Sequence, residues 1–105
     1  MKILLDECVP WPMRKLLVEH ECTNPFKCGW NGITNGELLK LAEDEFELFI
    51  TADQILRYQQ SMTGRRIAIL EPSTNDLRRI LAAGTSIVAA VQSIKNGEYL
   101  KLEIL

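Results

Sequence analysis

Lys2-Ile3-Leu4-Leu5-Asp6-Glu7 opens the chain with an apolar run that stops abruptly at two adjacent carboxylates. A short run of this kind suits a strand buried on both faces of a parallel sheet, where no interior position accommodates a charge. The acids are therefore expected at its carboxyl end, the edge at which open α/β sheets bind ligands and metal ions.

Working outward, apolar runs alternate with helical patterns, without internal repeats, low complexity or a linker. That alternation predicts βαβ units and an α/β fold in which helices flank a mainly parallel sheet of about five strands, all within one domain, 1–105. Strand one is 2–5. Beyond Pro10 and Pro12, which can open a helix but not continue one, Met13, Leu16 and Leu17 recur at helical spacing. A weak strand at 21–24 leads into a loop rich in Pro, Gly and Asn. A helix is predicted over 37–46 with Leu38, Leu41, Ala42 and Phe46 inward, then a third strand at 47–51. A short helix at 54–60, a Met62-Thr63-Gly64 turn and a fourth strand at 66–70 follow. One interrupted helix or two consecutive helices are expected over 76–83 and 86–94, with Gly84 at the break. Asn96-Gly97 is a strong turn signal. From Tyr99 onward Leu100, Leu102 and Ile104 alternate with Lys101 and Glu103, the pattern of an edge strand with one wet face.

Composition narrows the function classes. The chain has 105 residues, 47% hydrophobic and 25% charged, with a net charge of -2. No stretch approaches the ~18 apolar residues of a membrane span, and the opening apolar run is too short for a secretory signal, so a cytoplasmic protein without a membrane partner is expected. Cys8, Cys22 and Cys28 are odd in number and form no C-x-x-C pair, which argues against a disulfide framework or a zinc ribbon. A His20, Cys22 and Cys28 metal set is outweighed by packed or inert thiols. The basic pairs Arg14-Lys15, Arg65-Arg66 and Arg78-Arg79 read individually as solvated faces and turns.

On this map Asp6 follows strand one, Asp53 follows strand three and Glu37 lies in the first turn of the intervening helix. Above one sheet edge, such carboxylates repel, and a divalent cation relieves the repulsion. Oxygen ligands suit Mg²⁺ or Mn²⁺, whose chemistry is metal-assisted phosphodiester hydrolysis. Each acid also has a local explanation. Thr34-Asn35-Gly36-Glu37 and Ser73-Thr74-Asn75-Asp76 fit capping boxes. Asp53 can cap a following helix and Asp6 can start an Asx turn. Capping leaves unexplained why carboxylates recur at successive strand exits, where Ser or Thr would serve as well.

The opening Met1-Lys2-Ile3-Leu4-Leu5-Asp6-Glu7, Gly29-Trp30-Asn31-Gly32 with Asn35-Gly36-Glu37-Leu38-Leu39 and Leu41-Ala42, the segment Phe49-Ile50-Thr51-Ala52-Asp53, and Tyr58-Gln59-Gln60 together resemble the PIN-like domains of unknown function related to toxin-antitoxin ribonucleases. The resemblance extends over essentially the whole chain. It implies a three-layer α/β/α fold and a metal-dependent ribonuclease site with catalytic, metal-holding Asp6, Glu37 and Asp53. Thr51 would orient a carboxylate or water. A fourth polar position falls to Gln54, or to Asn75 or Asp76, and Asn35 replaces an acid found in many relatives. Implied partners are single-stranded RNA and a small antitoxin protein; a homodimer formed through the edge strand or an apolar surface belongs to a reading that keeps the fold and drops catalysis.

RNA contacts are assigned to Arg57, Tyr58 and Arg65 as cations and a stacking ring. Trp30 is read as a core residue, His20 as a strand-end residue, and Trp11 and Phe26 receive no functional role. Two rival classes remain. One is a PIN-like module that binds RNA or an antitoxin without cleaving. The other is a phosphoacceptor receiver domain, with acids after strands one and three, which would leave Glu37 without a role and lack a final helix.

Overall fold

The computed structural model describes residues 1–30, 32–33, 35–53 and 65–105. The expected helix at 54–60 and the Met62-Thr63-Gly64 turn lie outside the described residues, and with them Gln54, Arg57, Tyr58, Asn31 and Thr34.

Five strands form one all-parallel sheet: β1 (Lys2–Leu5), β2 (Glu21–Thr23), β3 (Leu48–Ile50), β4 (Ala68–Pro72) and β5 (Tyr99–Leu102), in the order β2-β1-β3-β4-β5. The three central strands are buried on both faces apart from Lys2, while the edge strands β2 and β5 keep partly exposed side chains. Burying each of Ile3, Leu4 and Leu5 is worth about 1.5–3 kcal/mol over leaving it in water, so the opening run contributes to both layers of the core. Ile3, Leu5, Leu48, Ile50 and Leu70 point to one face, and Leu4, Phe49 and Ile69 to the other.

Helices α1 (Asn35–Glu45), α2 (Leu77–Ala82) and α3 (Gly84–Ser93) complete a three-layer α/β/α fold. Helix α1 covers the Leu4 face through Leu38, Leu39 and Ala42, with Phe46 just beyond its end. In the buried stripe Leu39 takes the place expected for Leu41, which is 41% exposed. Helices α2 and α3 cover the opposite face through Ile80, Ile87 and Val91. They share it with Trp11–Leu17, which is a 3-10 helix rather than the α-helical segment the spacing suggested. Pro10 and Pro12 withhold N–H donors at its start. At ~2.0 Å per residue its seven residues return the chain roughly 14 Å, the length of a four-residue strand, where an α-helix of that size reaches only ~10 Å.

Helix α2 starts one residue later than expected, because the Asp76 carboxylate caps it by accepting from Arg79 N at 3.2 Å. Ser73 does not form the proposed capping box; its hydroxyl accepts from Ile104 N at 2.7 Å. The break between α2 and α3 falls at Ala83, and Gly84 instead begins α3, where a Cβ would meet Leu16 Cδ2 at 3.0 Å. Strand β4 runs two residues past its expected end. The β1–β2 and β4–β5 connections lie over the same face yet leave the centre in opposite directions, so one of them runs against the strong right-handed preference of parallel crossovers. No helix among the described residues is long and apolar enough to cross a membrane.

Candidate functional site

The strand order reverses direction between β1 and β3, and the carboxyl ends of those two strands form the crevice in which open α/β sheets bind ligands. The ladder continues one residue past the strands. Asp6 N donates to Ile50 O at 2.9 Å and Thr51 N to Leu70 O at 3.1 Å, so Asp6, Thr51 and Glu71 stand level on three adjacent strands.

Thr51, fully buried, joins the two strand exits. Its hydroxyl donates to Asp6 Oδ2 at 2.8 Å and accepts from Asp53 N at 3.1 Å. Glu7 N donates to Asp6 Oδ1 at 2.8 Å, which holds the other carboxylate oxygen and confines Glu7 to an exposed turn. A further participant is Cys8, which the sequence marks only as a packed or inert thiol. Cys8 Sγ donates to Asp6 Oδ2 at 3.4 Å, lies 3.4 Å from the Thr51 hydroxyl, and accepts from Ala52 N at 3.3 Å. Burial, reinforced by the Asp6 charge against the opposing hydrogen bonds from Thr51 and Ala52, pushes the Cys8 thiol above its ordinary range. It therefore stays a protonated donor to Asp6 at neutral pH. Its only signal in the sequence was the Asp6-x-Cys8 spacing at a strand exit.

No protein-family model, curated protein or solved structure matches the chain.

The remaining sequence-derived candidates divide by location. Glu37 lies exposed in the first turn of α1. Among the described residues no group of three or more His, Cys, Asp and Glu side chains is arranged to hold a metal ion, so Glu37, Asp6 and Asp53 do not stand as a formed ligand set. Asp76 is engaged as the cap of α2, and Asn75 is exposed beside it. Arg65 precedes β4 and pairs with Glu43 at 3.7 Å, at the amino edge of the sheet and away from Asp6. Gln54, Arg57 and Tyr58 lie outside the described residues. Trp30 packs edge-on against Phe46 at 6.1 Å between ring centroids, and His20 Nδ1 lies 3.2 Å from the amino terminus.

Glu71 lies one residue beyond the apolar run whose end at Leu70 marks the expected end of the fourth strand. It is 1% exposed; its Oε1 accepts from the Tyr99 hydroxyl, and among the described residues its Oε2 has no hydrogen-bond partner.

The donor chemistry sets what ion fits. A carboxylate offers about four lone-pair positions, and three donors already address Asp6, which leaves it room for one further contact. Mg²⁺ and Mn²⁺ are commonly held by one or two carboxylates while keeping several waters, so the Asp6 and Asp53 exits fit such an ion better than they fit an all-protein cage.

Proposed function

We propose that the chain is a Mg²⁺- or Mn²⁺-dependent ribonuclease that hydrolyses phosphodiester bonds of single-stranded RNA, acting in the cytoplasm as the toxin half of a toxin-antitoxin pair. The observation that carries this reading is the Thr51 hydroxyl, which links the Asp6 carboxylate to the Asp53 backbone across the crevice of the sheet. Asp6 and Asp53 would hold the ion, with Glu37 as the third acid. When bound, the ion would lower the pKa of a coordinated water and neutralise charge on the leaving oxygen. Thr51 and Glu7 N fix both oxygens of Asp6, so the carboxylate meets substrate in one orientation and pays no reorganisation during reaction. The Cys8 thiol adds a donor to the same carboxylate without adding charge.

The test is cleavage of single-stranded RNA with Mn²⁺, with chelator, and with Asp6→Asn and Asp53→Asn. Cleavage that requires Mn²⁺ and falls at least a hundredfold in each variant supports the reading, a loss of the size seen when preorganised electrostatic groups are removed. Cleavage that survives both substitutions would sink it. A second reading, RNA or antitoxin binding without cleavage, draws on the three donors that already occupy Asp6 and on the lack of a formed three-acid set among the described residues. RNA binding without cleavage under every metal condition would favour it. Co-purification with the product of an adjacent small gene would support the antitoxin partner, and sedimentation tests a dimer.

A further inference from the structure

Beside Asp6 lies a cleft of about 520 Å³, lined by Asp6 and Glu7 from the β1 exit, Pro10 and Trp11 from the start of the 3-10 helix, and Asn24 and Phe26 from the loop after β2. Two features give it a chemical character. Phe26 is 73% exposed, unusual for so large an apolar ring. Its loop is nonetheless closely tied: Lys27 N donates to Asn24 Oδ1 at 2.8 Å, Cys28 N to Asn24 O at 3.2 Å, Gly29 N to Phe26 O at 3.1 Å and Trp30 N to Pro25 O at 2.7 Å. The ring is therefore displayed by a hydrogen-bonded loop. The second feature is charge. The Lys27 ammonium lies 4.7 Å and the Arg14 guanidinium 4.8 Å from the Trp11 ring, which places two cations against one wall residue of the cleft, while the charged side chains of the lining itself are Asp6 and Glu7.

An occupant matching this wall needs a flat apolar face for Phe26 and negative charge for Lys27 and Arg14. An aliphatic ligand would leave both cations unused. Single-stranded nucleic acid has the required combination, with bases that stack on aromatic rings and phosphates that seek Lys and Arg. We propose that this cleft seats a nucleobase of single-stranded RNA, stacked on Phe26, with the adjoining phosphates drawn to Lys27 and Arg14. The inference rests on the nuclease reading for the identity of the strand, but the contact itself does not use the chemistry of Asp6.

The probe is a fluorescently labelled ten-nucleotide oligouridylate in the presence of chelator. Its binding is followed by anisotropy and by tryptophan emission in a Trp30→Phe background, where Trp11 is the sole tryptophan. Saturating oligonucleotide is expected to quench Trp11. Phe26→Ala should weaken binding roughly tenfold or more and Phe26→Tyr should retain it, as for other base-stacking rings. Lys27→Ala should weaken binding and flatten its salt dependence. Circular dichroism checks that each variant folds. Unquenched Trp11 at saturation, or unchanged affinity in Phe26→Ala, overturns the proposal, as does a dimer that Phe26→Ala dissociates without affecting RNA binding. Asp6-dependent cleavage with Phe26-independent binding removes the cleft and leaves the nuclease. Phe26-dependent binding without cleavage does the reverse.

Discussion

Thr51 has a β-branched side chain that suits a strand end and a hydroxyl that serves two partners in the core. Thr51→Val keeps the shape and removes both contacts, leaving Asp6 short of a donor and Asp53 N short of an acceptor. Loss of about 1–3 kcal/mol in urea unfolding is expected, with RNA cleavage reduced at least tenfold, while Thr51→Ser should retain most of both. Glu71 poses the opposite problem: a buried carboxylate with one satisfied oxygen. Tyr99→Phe should destabilise the fold by about 1–3 kcal/mol by removing the donor to Oε1. Adding Glu71→Leu in the same chain should recover much of that loss, since replacing both polar partners is gentler than orphaning one. A double-mutant cycle measures the coupling, and strict additivity would show that the hydroxyl contributes nothing to holding the acid.

Among the elements, Gly97 offers the clearest test. It sits at φ +78°, and a Cβ there would approach Arg65 O to 2.7 Å. Gly97→Ala should therefore cost about 1–3 kcal/mol through strain and clash together, measured as a lowered urea midpoint with unchanged slope. That turn was legible as Asn96-Gly97, because its chemistry is local. So were the five strands and their parallel arrangement, since apolar runs report burial directly. Less legible were features set by tertiary partners. The 3-10 form of Trp11–Leu17 depends on the distance the chain must recover, and the burial of Leu39 instead of Leu41 in the α1 stripe on how that helix meets Phe49 and Ile69. Within the candidate site, Asp6 and Asp53 could be placed at strand exits from the runs before them. Cys8 could not be told from a packed thiol, nor Glu71 from a residue beyond its strand, because their significance lies in neighbours far along the chain. The charge of Arg65 suits RNA, but its position before β4 puts it at the other edge of the sheet, where it pairs with Glu43.

For the molecule as a whole, the three thiols make an alkaline liability. Burial is the leading cause that raises each of Cys8, Cys22 and Cys28, with nearby Asp6 adding at Cys8 and Glu45 at Cys28. A thiol whose folded pKa exceeds its unfolded value holds its proton more tightly in the native state. Its contribution to stability is then intact below the ordinary cysteine value of 9.0 and declines as pH rises through the folded value. Unfolding midpoints should be level with respect to these groups at neutral pH and fall in more alkaline buffer, and Cys8→Ser should reduce the slope. An unchanged slope in that variant would remove Cys8 from the account.

The strand order also bears on how the protein is made. β1 leaves the ribosome before the other four strands but occupies an inner place in the sheet, so its fully apolar Ile3-Leu4-Leu5 waits for residue 23 to cover one flank and for residue 50 to cover the other. At a synthesis rate of roughly 5–20 residues per second, that interval lasts seconds. During it the nascent chain presents a short sticky segment with two open edges, a natural target for holding chaperones and the segment from which aggregation during overexpression would begin.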